Sequence, residues 1–175
     1  MMTENRNIDS LQNLLDYEVS KFTSAEEQLK RGLQEWIEKV HSEKLKNVLQ
    51  KYLEQVKEHG RKIDEFLRNE KINSVSLHNR IIEAYLEETT EKLSSCRDTD
   101  VKDACLLACI QAINHFKISA YGTAAAYANV LKMENQAVIF HELEVNEKQI
   151  DDRLSQLAEH EINLKANTPN ELLGP

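Results

Sequence analysis

Little in this chain would break a helix. Its 175 residues include four glycines and two prolines, and long stretches contain neither. A strand-rich fold needs such punctuation at its turns, so the scarcity argues against one and leaves straight helices unopposed. Cysteine is also sparse. Cys96, Cys105 and Cys109 are an odd set, two of them four apart in an apolar run, which excludes a paired disulfide framework and fits reduced thiols. No apolar run approaches the ~20 residues a membrane span requires. The opening MMTENRNIDS has no basic stretch leading into an apolar one. Neither export nor membrane insertion is expected, and a cytoplasmic location is. Basic residues are in deficit, giving a net charge of −8 with 30% of residues charged. Nucleic acid or an anionic membrane would be repelled, whereas metal cations or basic partners would not.

What is present is helical periodicity. Leu11, Leu15, Phe22, Leu29, Leu33, Trp36 and Val40 repeat at three- and four-residue spacing, predicting one long amphipathic helix. Leu45, Leu49, Tyr52, Val56, Ile63 and Leu67 predict a second from Glu43 to Arg68, with Ser42 as N-cap. A polar stretch from Asn69 to Ser76 precedes a shorter helix carrying Leu77, Ile81, Ile82, Tyr85, Leu86 and Leu93. Asp100 is the expected cap of a third long helix reaching Lys132, alanine-rich from Ala124 to Ala128, and Asn135 that of a fourth carrying Val138, Ile139, Leu143, Ile150, Leu154 and Leu157. Gly122, inside the third helix, is expected where another backbone approaches. Two helical hairpins joined by a crossover with a short helix make a ferritin-like four-helix bundle over residues 1–165, all-α, leaving 166–175 as a mobile tail.

The stretch Asn114 to Thr123, NHFKISAYGT, resembles the EHYEIASYGT signature of the YciF/YciE-like ferritin-like proteins, and Ser24 to Leu29, SAEEQL, resembles that family's SAEKQL. The resemblance implies the ferritin-like fold, a role linked to bacterial stress responses and frequent association into homodimers. It also implies a place for a di-iron centre. Glu26 matches the family's inward glutamate. Other positions of that centre are substituted: Tyr52 and Gln55 fall in the family's His-Leu-x-Glu-Thr stretch, and Asn114 and Lys117 stand for the two glutamates of EHYE. Glu147 and Asp151 remain as possible ligands on the fourth helix, while the apolar phase turns Glu54 towards solvent. Three acids and no inward histidine fall short of two divalent cations.

The expected reading is therefore a non-catalytic protein with no metal and no cofactor, in which Lys117 bridges Glu26 or Glu147. The alternative is an oxidase or storage relative holding iron or manganese through Glu26, Glu147 and Asp151. No nucleophile, phosphate-binding loop or substrate pocket points to an enzyme. Cys105 and Cys109 read as small core residues with no third soft ligand nearby. His115 and His141, the histidines nearest the centre by sequence, read as surface or hydrogen-bonded groups. Tyr52, Tyr121 and Tyr127 read as core aromatics whose hydroxyls seek partners.

Overall fold

The structure is a computed structural model, and it describes residues 7–69 and 77–167. The described residues form α1 (Leu11–Val19), α2 (Phe22–Ile37), α3 (Glu43–Asn69), α4 (Arg80–Ser95), α5 (Thr99–Val130), α6 (Glu134–Leu157), a π-helical segment (Ala158–Ile162) and α7 (Asn163–Ala166). α2 packs against α3 and α5 against α6, the two hairpins meet through α3 and α6, and α4 crosses over α2 and α5. This is the all-α bundle with a crossover helix that the periodicity predicted. The polar stretch 70–76 and the tail from residue 168 lie outside the described residues, while Asn163–Ala166 is still helical.

Several local expectations change. The first helix is not continuous. Ser20, buried between α1 and α2, donates its hydroxyl to Tyr17 O at 2.6 Å, and its carbonyl accepts the Leu77 amide at 3.0 Å. A helical carbonyl diverted to a distant segment leaves the helix, so the axis breaks there. Asp98, not Asp100, caps α5, its carboxylate accepting the Asp100 and Val101 amides. The last long helix starts at Glu134 after Met133, which places Asn135 in its first turn. The α5–α6 turn closes with Lys132 at φ 59, its amide bonded to Asn129 O and the next amide to Ala128 O. This is the Schellman arrangement that glycine usually fills. A Cβ at Gly122 would meet the Glu144 side chain at 3.0 Å, so a carboxylate approaches there rather than a backbone. Val138 points outwards.

Ser42 does cap α3, its hydroxyl accepting the Leu45 amide at 3.3 Å. The turn before it is fastened by Asp103 of α5, a buried acid whose two oxygens accept the amides of His41 (3.0 Å) and Ser42 (2.6 Å).

The core has two apolar clusters. One gathers Leu29, Leu33, Trp36, Leu45, Leu49, Val56, Ile110, Ile113, Ile150 and Leu154. The other gathers Phe22, Ile63, Phe66, Tyr121, Ala124, Phe140 and Leu143. Burying each large aliphatic side chain contributes about 1.5–3 kcal/mol. Between the clusters every core helix carries a buried polar residue: Glu26 on α2, His59 on α3, Asn114 and Lys117 on α5, and Glu147 on α6.

Candidate functional site

The polar layer is a single connected network. Lys117 reaches from α5 to carboxylates on two other helices. Its Nζ lies 2.9 Å from Glu26 Oε1, 3.0 Å from Oε2 and 2.6 Å from Glu147 Oε1. Both acids are therefore engaged, not one. Glu26 Oε1 also accepts a short hydrogen bond from the Tyr121 hydroxyl. Glu147 Oε2 accepts from the Tyr52 hydroxyl and from Asn114 Nδ2, each at 2.7 Å, and the Asn114 amide also donates to the Glu147 carbonyl at 3.1 Å. The Lys117 ammonium lies 5.2 Å and 5.8 Å from the ring centres of Tyr52 and Tyr121. At these distances the ring faces add modest attraction for the cation.

His59 completes the layer from α3. Its Nδ1 is 3.1 Å from Glu147 Oε1, its Nε2 is 3.4 Å from Asn146 Nδ2, and its ring meets Tyr121 edge to face. The His59 contact is one of the interactions that keep the buried Glu147 carboxyl ionised. Asn114 Oδ1 and Gln55 Nε2 are buried without a protein partner. Such groups typically cost about 1–3 kcal/mol each.

Burial shapes the charges here. Desolvation alone would favour neutral Lys117, but the carboxylates of Glu147 and Glu26 outweigh it and hold its pKa above the ordinary lysine value. Desolvation would likewise raise Glu147, yet Lys117 and His59 pull its carboxyl down to about 2. Burial, followed by the nearby carboxylates, pushes both tyrosine hydroxyls well above their usual range, so they act as donors and not as phenolates.

The structure brings Glu26, Glu147, Tyr52, Asn114 and Lys117 together and leaves the remaining predicted residues apart. Asp151 sits at the bundle surface, 2.8 Å from His115 Nε2. His115 and His141 are exposed. Glu54 faces solvent and pairs with Lys57. Gln55 is half-buried on α3, with no hydrogen bond from its Nε2 to the layer. The expectation of no inward histidine is wrong: His59 is fully buried at the centre. Its signal was its phase, three residues after Val56 and four before Ile63, obscured by the charged run around it. Among the described residues, Glu26, His59 and Glu147 are the one group bringing three metal-capable donors within 4.8 Å of one another. No helix of the described residues is long and apolar enough to cross a membrane.

Comparison with known proteins agrees with this architecture. The chain is 29% identical over 161 residues to protein YciF of Escherichia coli K12, covering 91% of this chain and 97% of that one. The crystal structure of the E. coli stress protein YciF superposes with a TM-score of 0.83 at 27% identity, covering 89% of this chain and 99% of that one. YcfI from Rhodopseudomonas palustris, for which a structural role has been suggested, matches with the same TM-score at 24% identity over 87% of this chain and 98% of that one. The model of the DUF892 family, described as a domain of unknown function, matches residues 10–167. With nearly its whole length spanned by that match, the chain belongs to the DUF892 family.

Proposed function

We propose that this protein is a non-catalytic, ferritin-like structural or interaction module of stress-associated type, in which the Lys117 ammonium takes the place of a di-metal centre. One observation carries the reading: Nζ lies 2.6–3.0 Å from carboxylate oxygens of two other helices. A divalent ion held by those oxygens would sit roughly 2.0–2.2 Å from them. It would compete with the ammonium for both space and charge. Two carboxylates could not neutralise two divalent ions, and the remaining groups of the layer are a histidine, an asparagine amide and two tyrosine hydroxyls held as donors. The donor set suits one monovalent cation that belongs to the protein. A cytoplasmic homodimer completes the reading; light scattering on the purified protein tests the dimer.

A second reading is favoured by the convergence of Glu26, His59 and Glu147. It makes the protein a carboxylate metalloprotein holding iron or manganese with a reduced ligand set, and requires Lys117 to swing aside. Elemental analysis after purification separates the two. The leading reading predicts far less than one metal per chain and a melting temperature indifferent to added iron. Near-stoichiometric iron or manganese, lost in Glu26→Ala, would establish the second.

A further inference from the structure

A groove of about 340 Å³ is walled by α1, the residues leading into α4 and the C-terminal half of α5, and it shares no residue with the polar layer. Its walls are fastened by the protein itself. The Leu77 amide is bonded to Ser20 O at 3.0 Å, and the Asn79 amide donates to Ser24 Oγ at 3.2 Å. Asn79, itself buried, caps α4 through the amides of Ile81 and Ile82. On the floor, Phe22 meets Tyr121 edge to face with ring centres 5.0 Å apart. A site held in this way is pre-organised, so an occupant meets little ordering cost.

The surface inside is apolar with a basic edge. Leu14, Phe22, Phe116 and Ala120 line it, as does Ile81, a large apolar side chain that is 52% exposed. Three basic residues, Lys21, His78 and Arg80, stand against one acid, Glu18. Lys21 is 3.5 Å from Glu18 and lies over the Tyr17 ring at 3.9 Å, and His78 pairs with Glu83 at 2.9 Å. Arg80 has no ion pair among the described residues. Two other grooves differ in this respect. Between α3 and α6, Glu65 and Glu142 pair with the lining residues Arg61 and Lys62, and between α4 and α5, Glu88 pairs with Lys92. In a chain of net charge −8, an apolar groove with an uncompensated guanidinium complements an anion.

We infer that this groove binds a medium-chain fatty acid, its chain along Leu14, Phe22, Ile81 and Phe116 and its carboxylate on Arg80. The volume is at the lower end of the roughly 300–1,000 Å³ of small-molecule sites, which suits one short amphiphile rather than a segment of a partner protein. The planar fork of arginine donors matches a carboxylate, and each methylene that leaves water for the groove adds to affinity. The site is independent of whether an ammonium or a metal occupies the polar layer.

The test is calorimetric titration of the full chain with decanoate below its micelle concentration. One decanoate per chain is expected, with hexanoate at least about tenfold weaker because it buries fewer methylenes. Decyltrimethylammonium, with the same chain and the opposite charge, should bind at least about tenfold more weakly than decanoate. Arg80→Ala should weaken decanoate by about tenfold, the loss of a charge-assisted hydrogen bond. Ser119→Trp, at an exposed position lining the groove, should abolish binding by filling it, whereas Arg61→Ala should leave it unchanged. Circular dichroism checks that each variant is folded. A wild-type chain that does not bind decanoate, or binds the ammonium amphiphile equally well, would overturn the proposal. So would a folded Arg80→Ala or Ser119→Trp variant that binds like wild type.

Discussion

The layer of Glu26, His59, Lys117 and Glu147 and the apolar clusters on either side of it are equally removed from water, yet opposite physics holds them in place. Side chains such as Leu29, Leu33 and Leu154 are stabilised by the water they leave, in proportion to area and with little regard to neighbour identity. The layer has lost solvation of its charged groups and regains it only through specific partners. A buried ion pair rarely beats well-packed apolar residues, but breaking one side of it is costly. The clusters should therefore tolerate exchange of one hydrophobe for another of like volume, whereas the layer should behave as a unit.

The largest effect expected is that of Lys117→Ala, which strands two carboxylates at the centre and should cost about 3–5 kcal/mol. At roughly 2–4 °C per kcal/mol for a chain of this size, a thermal melt reads it directly. Leu29→Ala, in the neighbouring cluster, should cost about 3 kcal/mol through lost transfer energy and the cavity left behind. An acid titration separates the two. The carboxyl of Glu147 is held at about 2 in the folded state against 4.5 ordinarily, so its contribution is present above about pH 4.5 and lost as the pH falls from there through about 2. Lys117 is raised above 10.5, so its contribution is complete below that value and lost as the pH rises through its higher folded pKa. Melts of Glu147→Gln and wild type should converge in acid, while the Leu29→Ala deficit should stay constant. The smallest effect belongs to the surface: Arg61→Ala removes exposed pairs with Glu58 and Glu65 and should leave the melting temperature unchanged.

Much of this contrast was legible in the sequence. The apolar spacing gave the helices and the pairing of hairpins, and the NHFKISAYGT stretch located Lys117 and Asn114 at the centre. What escaped notice had physical reasons. The break at Ser20 leaves the three- and four-residue spacing of Leu15, Val19 and Phe22 intact, so periodicity cannot register it. It depends on the Leu77 amide, 57 residues away by the numbering of that hydrogen bond. His59 looked like part of a solvated face because Glu58, Arg61 and Lys62 surround it, and those side chains do face water. Asp103 was hidden in the same way, a buried acid whose purpose appears only when the α2–α3 turn is brought against α5. In the DTD segment, either acid could have capped α5, and only the extended backbone at Asp98 decides between them.

The most direct measurement is the melting temperature of wild type and Lys117→Ala, each with and without added manganese(II). If the ammonium stands in for a metal, wild type should not respond, whereas the variant, with Glu26, His59 and Glu147 freed of their cation, should recover part of its lost stability as the ion binds the folded state. A wild-type protein stabilised by manganese(II), with no recovery in the Lys117→Ala variant, would contradict the account.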